Sequence, residues 1–198
     1  MRIFYAFCLL VLFQSNHVWA QQETQLDSLP YIFTNLQFDS TESTNRFVHP
    51  DGLTVRYPYS WERDFRSGAG TLLVYVRKAD PKYPQVFRDR VTLRALGYMD
   101  STQNLSTLAE SFQANEQSVW NNYSVSYLTD VSQTINIGSQ EAIVQRVSLP
   151  ELSQEKLILI IEHKGRVYSI EYTATDISFR MQLENFWRIV NSLSYLEK

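Results

Sequence analysis

The spacing of apolar residues changes sharply toward the end of this chain, and that change organises the rest. Leu157 to Ile161 is an unbroken apolar run, the length of one strand. His163-Lys164-Gly165-Arg166 follows, with Gly where a hairpin turn calls for positive φ. Val167 to Thr175 then alternates, with Tyr168, Ile170, Tyr172 and Ala174 on one face and Ser169, Glu171 and Thr173 on the other. After Asp176 the period becomes helical, with Phe179, Leu183, Phe186, Val190 and Leu193 recurring at steps of four and three. Strand, turn, strand and closing helix predict one packing unit to which the remainder is added. Fully buried, each side chain of that stripe contributes ~1.5–3 kcal/mol, so the helix is predicted to be indispensable.

Upstream, the pattern predicts strands more often than helices. His49-Pro50-Asp51-Gly52 has turn composition, Leu53 to Tyr57 alternates as a strand, and Pro58 stops it. Trp61 lies just beyond, placed to plug the end of the core. Thr71 to Arg77 and Val91 to Tyr98 are further strands, while Pro81 and Pro84 predict a long loop over 78–88. Ser106 or Thr107 is placed to cap a helix, Thr107 and Glu110 forming a capping box, with Leu105, Leu108, Phe112 and Val119 on its buried side. The helix runs to about Trp120, where Asn121-Asn122 ends it. Tyr123 to Asp130 is a strand with Tyr123, Val125 and Tyr127 on one face. Ile135 to Ile137 and Ala142 to Leu149 flank a turn at Gly138, a hairpin. Hairpins rather than crossovers predict the α+β class, a largely antiparallel sheet flanked by helices.

The N-terminus follows another logic. Arg2, the apolar stretch Ile3–Phe13 and a polar stretch ending Val18-Trp19-Ala20 predict a signal peptide over 1–20, cleaved after Ala20. The alternative, an uncleaved anchor, needs about twenty apolar residues, more than this run supplies. Residues 21–45 are a polar leader interrupted by Tyr31, Ile32, Phe33, Leu36 and Phe38, and 46–198 are a single domain. The mature chain is thus expected to be exported and to have no transmembrane segment. Cys8 is the only cysteine, so cleavage would leave no disulfide, no thiolate nucleophile and no cysteine-ligated metal.

Composition narrows the partners. The 198 residues are 44% hydrophobic with a net charge of −3, and no stretch gathers the Lys and Arg that a phosphate backbone requires. Nucleic acid is therefore not an expected partner. Twelve Tyr, eleven Phe and four Trp are the unusual totals, and they favour strands and half-buried faces. Tyr57, Tyr59, Trp61, Phe65, Tyr83 and Phe87 form the candidate binding set: an aromatic-rimmed groove or docking patch, or simply core-edge packing.

Catalytic chemistry finds little support. No G-x-S-x-G elbow accompanies His49 or His163, and His163 at a hairpin tip is expected to be solvated. Gly68-Ala69-Gly70 lacks the remainder of a phosphate loop. His49 and Asp51 have no second ligand cluster near them in sequence, so no metal and no cofactor are expected. Glu162 and Glu171 lie on paired strands, where the alternatives are two carboxylates facing each other and, the expectation here, exposed strand-face charges. Asn104-Leu105-Ser106 and Asn122-Tyr123-Ser124 match the N-glycosylation pattern.

Two stretches resemble the PsbP-like family. Asp51-Gly52-Leu53-Thr54-Val55-Arg56-Tyr57-Pro58-Tyr59-Ser60-Trp61 is similar to its opening, and Arg166 to Ala174 with Phe186 to Tyr195 is similar to its close. The helix beginning Asn104-Leu105-Ser106-Thr107-Leu108 fits between them. The resemblance implies an α/β/α sandwich and a non-enzymatic, extrinsic protein that docks on a protein partner at a membrane or envelope surface. PsbP proteins occupy the lumenal side of photosystem II, a role implied here only in a photosynthetic host. Residues 21–45 contain no Lys or Arg, unlike the basic N-terminal region used for photosystem docking, so no functional residue is carried over. The alternative is a small-ligand carrier using the groove near Trp61; a hydrolase using His49 or His163 stands only as a control.

Overall fold

The closing unit forms as its pattern predicts. Strand β8 (Gln154–His163) turns through Lys164 and Gly165 into β9 (Arg166–Thr175), which runs into helix α2 (Asp176–Asn191). Both turn residues adopt positive φ, 51° and 78°, the conformation a two-residue hairpin of this hand demands. Thr175 caps α2, its hydroxyl oxygen accepting from the Ser178 amide. Phe179, Leu183, Phe186 and Val190 are all buried, while Leu193, just past the helix end, is half-buried.

The computed structural model describes residues 36–49, 52–63, 71–77, 89–100 and 102–195, the strand 71–77 by its backbone alone. All of them belong to one compact unit, Thr34–Lys198. Before β8 the chain forms β1 (Thr44–Val48), β2 (Leu53–Pro58), β3 (Trp61–Arg63), β4 (Thr71–Arg77), β5 (Arg90–Tyr98), helix α1 (Leu105–Asn122), β6 (Leu128–Ile137), β7 (Gln140–Leu149) and a 3-10 turn at Pro150–Leu152. After α2 comes β10 (Ser194–Tyr195). Seven strands form the main sheet in the order β3-β4-β5-β9-β8-β7-β6, antiparallel throughout. A second sheet, β1-β2-β10, brings the last described strand beside β2, with β1 on the other side of it.

Cross-strand partners assign the two faces of the main sheet. Val91, Leu93, Ile170, Tyr172, Leu157, Leu159 and Val144 share one face, which α2 covers; Tyr172 stacks between Phe179 and Phe186 at centroid distances of 5.2 and 5.6 Å. Ile158, Ile160, Ile143, Val147 and Val167 share the other, which α1 covers through Leu105 and Ala109. Helices on opposite faces of an antiparallel sheet make the α+β class that the pattern predicts and the α/β/α sandwich that the resemblance implies.

Four local expectations need correction. Asn104, not Ser106 or Thr107, caps α1: its backbone is extended and its Oδ1 accepts from the Thr107 amide at 2.8 Å. Val119 points to solvent, because the stripe that meets the sheet runs Leu105, Ala109, Phe112, Glu116, Trp120 and contains a carboxylate at a core position. Tyr123 is 73% exposed, and the chain only becomes strand at Leu128, continuing unbroken to Ile137. Glu171 is buried at 2% exposure rather than displayed on an open face. Glu162 and Glu171 do share a sheet face, but they oppose Val167 and Ile158, not one another.

Candidate functional site

The β8–β9 turn projects from one end of the main sheet, and the C-terminal strand folds back onto it. Tyr195, paired with Leu53, lays its ring over His163 at a centroid distance of 3.2 Å and an interplanar angle of 8°. The Gln140 side-chain nitrogen sits 3.0 Å from His163 Nδ1. An amide donating there makes Nδ1 the acceptor and leaves the hydrogen on Nε2. The hairpin tip therefore does not leave His163 solvated, because β10 arrives from the other end of the chain to cover it. His163 Nε2 and Tyr195 Oη are both buried without a hydrogen-bond partner among the described residues.

Arg166, the cross-strand partner of His163, is held between two rings: its guanidinium lies 5.7 Å from the Tyr98 centroid and 5.6 Å from that of Tyr168. Tyr168 is buried, whereas Tyr98, the last residue of β5, is 76% exposed. The Met99 amide donates to the Gly165 carbonyl, and the Gly165 amide to a Glu162 carboxylate oxygen, so strand end and turn are fastened together.

The charged side chains at this end are Arg166, the turn lysine and Glu162, while burial acts on the imidazole and the phenol. Burial, with the Lys164 charge, holds the His163 imidazole below its usual value, against a weaker upward pull from Glu162. Burial pushes the Tyr195 phenol up, aided by Tyr168 and Glu162. His49 is also held low, by burial first and then by the charge of Arg166. At neutral pH the arrangement offers stacked rings, one fixed cation and hydrogen-bonding groups, which suits recognition better than proton transfer.

A second polar cluster lies inside the fold, under α1. Lys156, 3% exposed, places Nζ 3.0 Å from Glu116 and 3.3 Å from Glu171; Arg94 meets the same two carboxylates at 3.4 and 3.3 Å. Gln145 bonds Gln113 of α1 at 3.1 Å, and Ser169 donates to Glu171. Burial pushes the Tyr127 phenol up, with Glu116 and Glu171 adding to it. Each carboxylate faces two cations, so this is a closed ion network.

Among the aromatic residues singled out from sequence, Trp61 is 1% exposed, Tyr57 half-buried and Tyr59 62% exposed at the β2–β3 corner. Phe65, Tyr83 and Phe87 lie outside the described residues. The cluster at the β8–β9 turn was missed because its members come from five separate strands. The one signal for it in the sequence was the density of Tyr and His beside the turn and in the last residues. Asn104 and Asn122, the two glycosylation-pattern residues, are both exposed at the ends of α1. Among the described residues no helix is long and apolar enough to cross a membrane.

No family model matches the sequence, and no curated protein matches it. Solved structures do match. Cyanobacterial PsbP (CyanoP) from Synechocystis superposes with a TM-score of 0.58 at 13% identity, over 81% of this chain and 98% of that one. LpqN, involved in cell envelope biogenesis of Mycobacterium tuberculosis, superposes with a TM-score of 0.51 at 14% identity, over 80% of this chain and 94% of that one. The chain has the PsbP-like fold.

Proposed function

We propose that this chain is an exported, non-enzymatic protein, released by cleavage after Ala20, that docks on a membrane-associated or envelope protein through the end of the sheet carrying Tyr98 and Arg166. The observation that carries this reading is the Tyr98–Arg166–Tyr168 stack. An exposed tyrosine backed by a guanidinium, itself backed by a buried tyrosine, is a contact group held in place before any partner arrives. Tyr and Arg are the residues in which binding energy concentrates, and fixing them in advance lowers the entropy lost on docking. The PsbP and LpqN likenesses support an extrinsic or envelope setting. A photosystem role follows only in a photosynthetic host.

The test is a photo-crosslinking residue at position 98 in the native host. A discrete protein adduct is expected there, lost when Arg166→Ala is added, and absent from the exposed control position Ser106 on α1. Equal labelling at both positions, or none at 98, removes the reading.

The alternative of a small-ligand carrier is favoured by one feature of the β2–β3 corner: the indole nitrogen of buried Trp61 has no hydrogen-bond partner among the described residues. A ligand acceptor reaching it would change Trp fluorescence in the wild type but not in Trp61→Phe. No response across a ligand panel ends that alternative.

A further inference from the structure

The two edges of the main sheet are not equivalent. At one edge β3 is three residues long, short enough to offer little to an incoming strand. At the other, β6 runs for ten residues, Leu128–Ile137, and among the described residues no strand lies along its outer side. It carries no Lys, Arg or Pro, and its sole charge is Asp130. A bulge interrupts pairing only between Thr129 and Val131, so Val131 to Ile137 is a regular ladder.

The register shows which backbone groups are unspent. The two-residue turn Gly138-Ser139 follows the pair Ile137–Gln140, with Gly138 at φ 60°. Such turns close on a hydrogen-bonded pair. Ile137, Ile135, Gln133 and Val131 therefore bond to β7, while Asn136, Thr134 and Ser132 turn their amides and carbonyls outward. The side chains of Ser132, Thr134 and Asn136 are exposed as well.

Around Gln133 the strand mirrors itself in chemical kind. Ser132 matches Thr134, Val131 matches Ile135, and Asp130 matches Asn136. We propose that β6 pairs antiparallel with β6 of a second copy across a two-fold axis at Gln133, joining two main sheets into one. That register sets hydroxyl against hydroxyl on one face and aliphatic against aliphatic on the other. It also places Asp130 beside Asn136 rather than against its own copy, avoiding like charges directly opposite. Ser132 and Thr134 become the hydrogen-bonded pair flanking the axis, as their outward backbone groups require. Gln133 meets its own copy in a non-hydrogen-bonded pair, where side chains of antiparallel strands stand closest. An isologous contact of this kind closes at two copies and, among the described residues, leaves each main sheet only its short β3 edge. One strand pair is a small interface, so the dimer is concentration-dependent.

Sedimentation velocity of the purified protein across the micromolar range tests this, independently of any docking partner. Wild type is expected to show a species of twice the monomer mass that grows with concentration. Gln133→Lys and Gln133→Glu each set like charges across the axis and are expected to lose that species. Mixing the two variants is expected to restore it. Thr134→Pro, which removes an outward amide but no bond to β7, is expected to be monomeric with an unchanged circular-dichroism spectrum. A wild type that stays monomeric at every concentration overturns the proposal. So does a dimer that survives all three substitutions, or a mixture that stays monomeric while both charge variants melt like wild type.

Discussion

The two faces of the main sheet are held by different physics. Under α2 the contact is largely apolar: Tyr172, Phe179, Phe186, Trp187 and Val190 are all at or below 2% exposure. Under α1 the apolar contacts at Leu105, Ala109, Phe112 and Trp120 are interrupted by the Arg94–Glu116–Lys156–Glu171 network. Apolar burial tolerates small shifts and contributes whatever the pH. A buried ion network contributes only if every member is present and charged, because an unpaired buried charge costs more than the pair gains. The α2 face therefore carries the stability, and the α1 face carries position.

The largest test of that contrast is removal of α2. A chain ending before Phe179 is expected to be unfolded or aggregated; a soluble product with a cooperative melt would place the stability elsewhere. Phe186→Ala is next, at ~3–5 kcal/mol by urea unfolding for an aromatic truncated in a closed core.

Lys156→Met probes the other face. It leaves Glu116 and Glu171 to Arg94 alone, and a loss of ~3 kcal/mol is expected for a broken buried pair. Adding Glu171→Leu should recover part of that loss, because the second substitution removes the charge the first left unpaired. If the double variant is as unstable as the two singles summed, the network contributes no coupling and the contrast fails.

Acid should separate the groups further. Burial pushes the Glu116 carboxyl up, but the Lys156 charge and hydrogen bond, with the Arg94 charge, outweigh it and leave the group below its ordinary 4.5. A carboxyl held low stabilises the fold above its unfolded value and stops doing so as pH falls through the lower folded value. His49 and His163, held below 6.5 by burial, work in an earlier window. There the unfolded chain takes up protons first, so stability falls as pH drops from 6.5 toward the folded values. Urea midpoints measured against pH should show both declines. His49→Gln with His163→Gln should remove the first, and Glu116→Gln should flatten the second. The smallest effect expected is that of Val119→Ser, within ~0.5 kcal/mol, because Val119 faces solvent. A cost several times larger would restore it to the buried stripe.

The same contrast explains which parts were legible in advance. Wherever an element buries apolar side chains, its period is written in the chain, as in β9 and α2. Where the core includes charge, the pattern misleads: Glu116 broke the α1 stripe and shifted the reading onto Val119, and Glu171 looked like a solvated strand residue. Local turn chemistry was legible too, through Gly138 and Gly165. The site at the β8–β9 turn was not, because stacking His163 on Tyr195 and fixing Arg166 between Tyr98 and Tyr168 joins residues far apart in sequence.

By itself the sequence determined the class of fold, the closing hairpin and helix, and the positions of the turns, because periodicity and glycine conformation act over a few neighbouring residues. Only the tertiary structure decided which charges could be buried, which helix face met the sheet, what covered His163 and which strand stood alone at the edge. Each of those depends on a partner brought from elsewhere in the chain. A carboxylate is an outward group in isolation and an interior one only when two cations arrive to meet it.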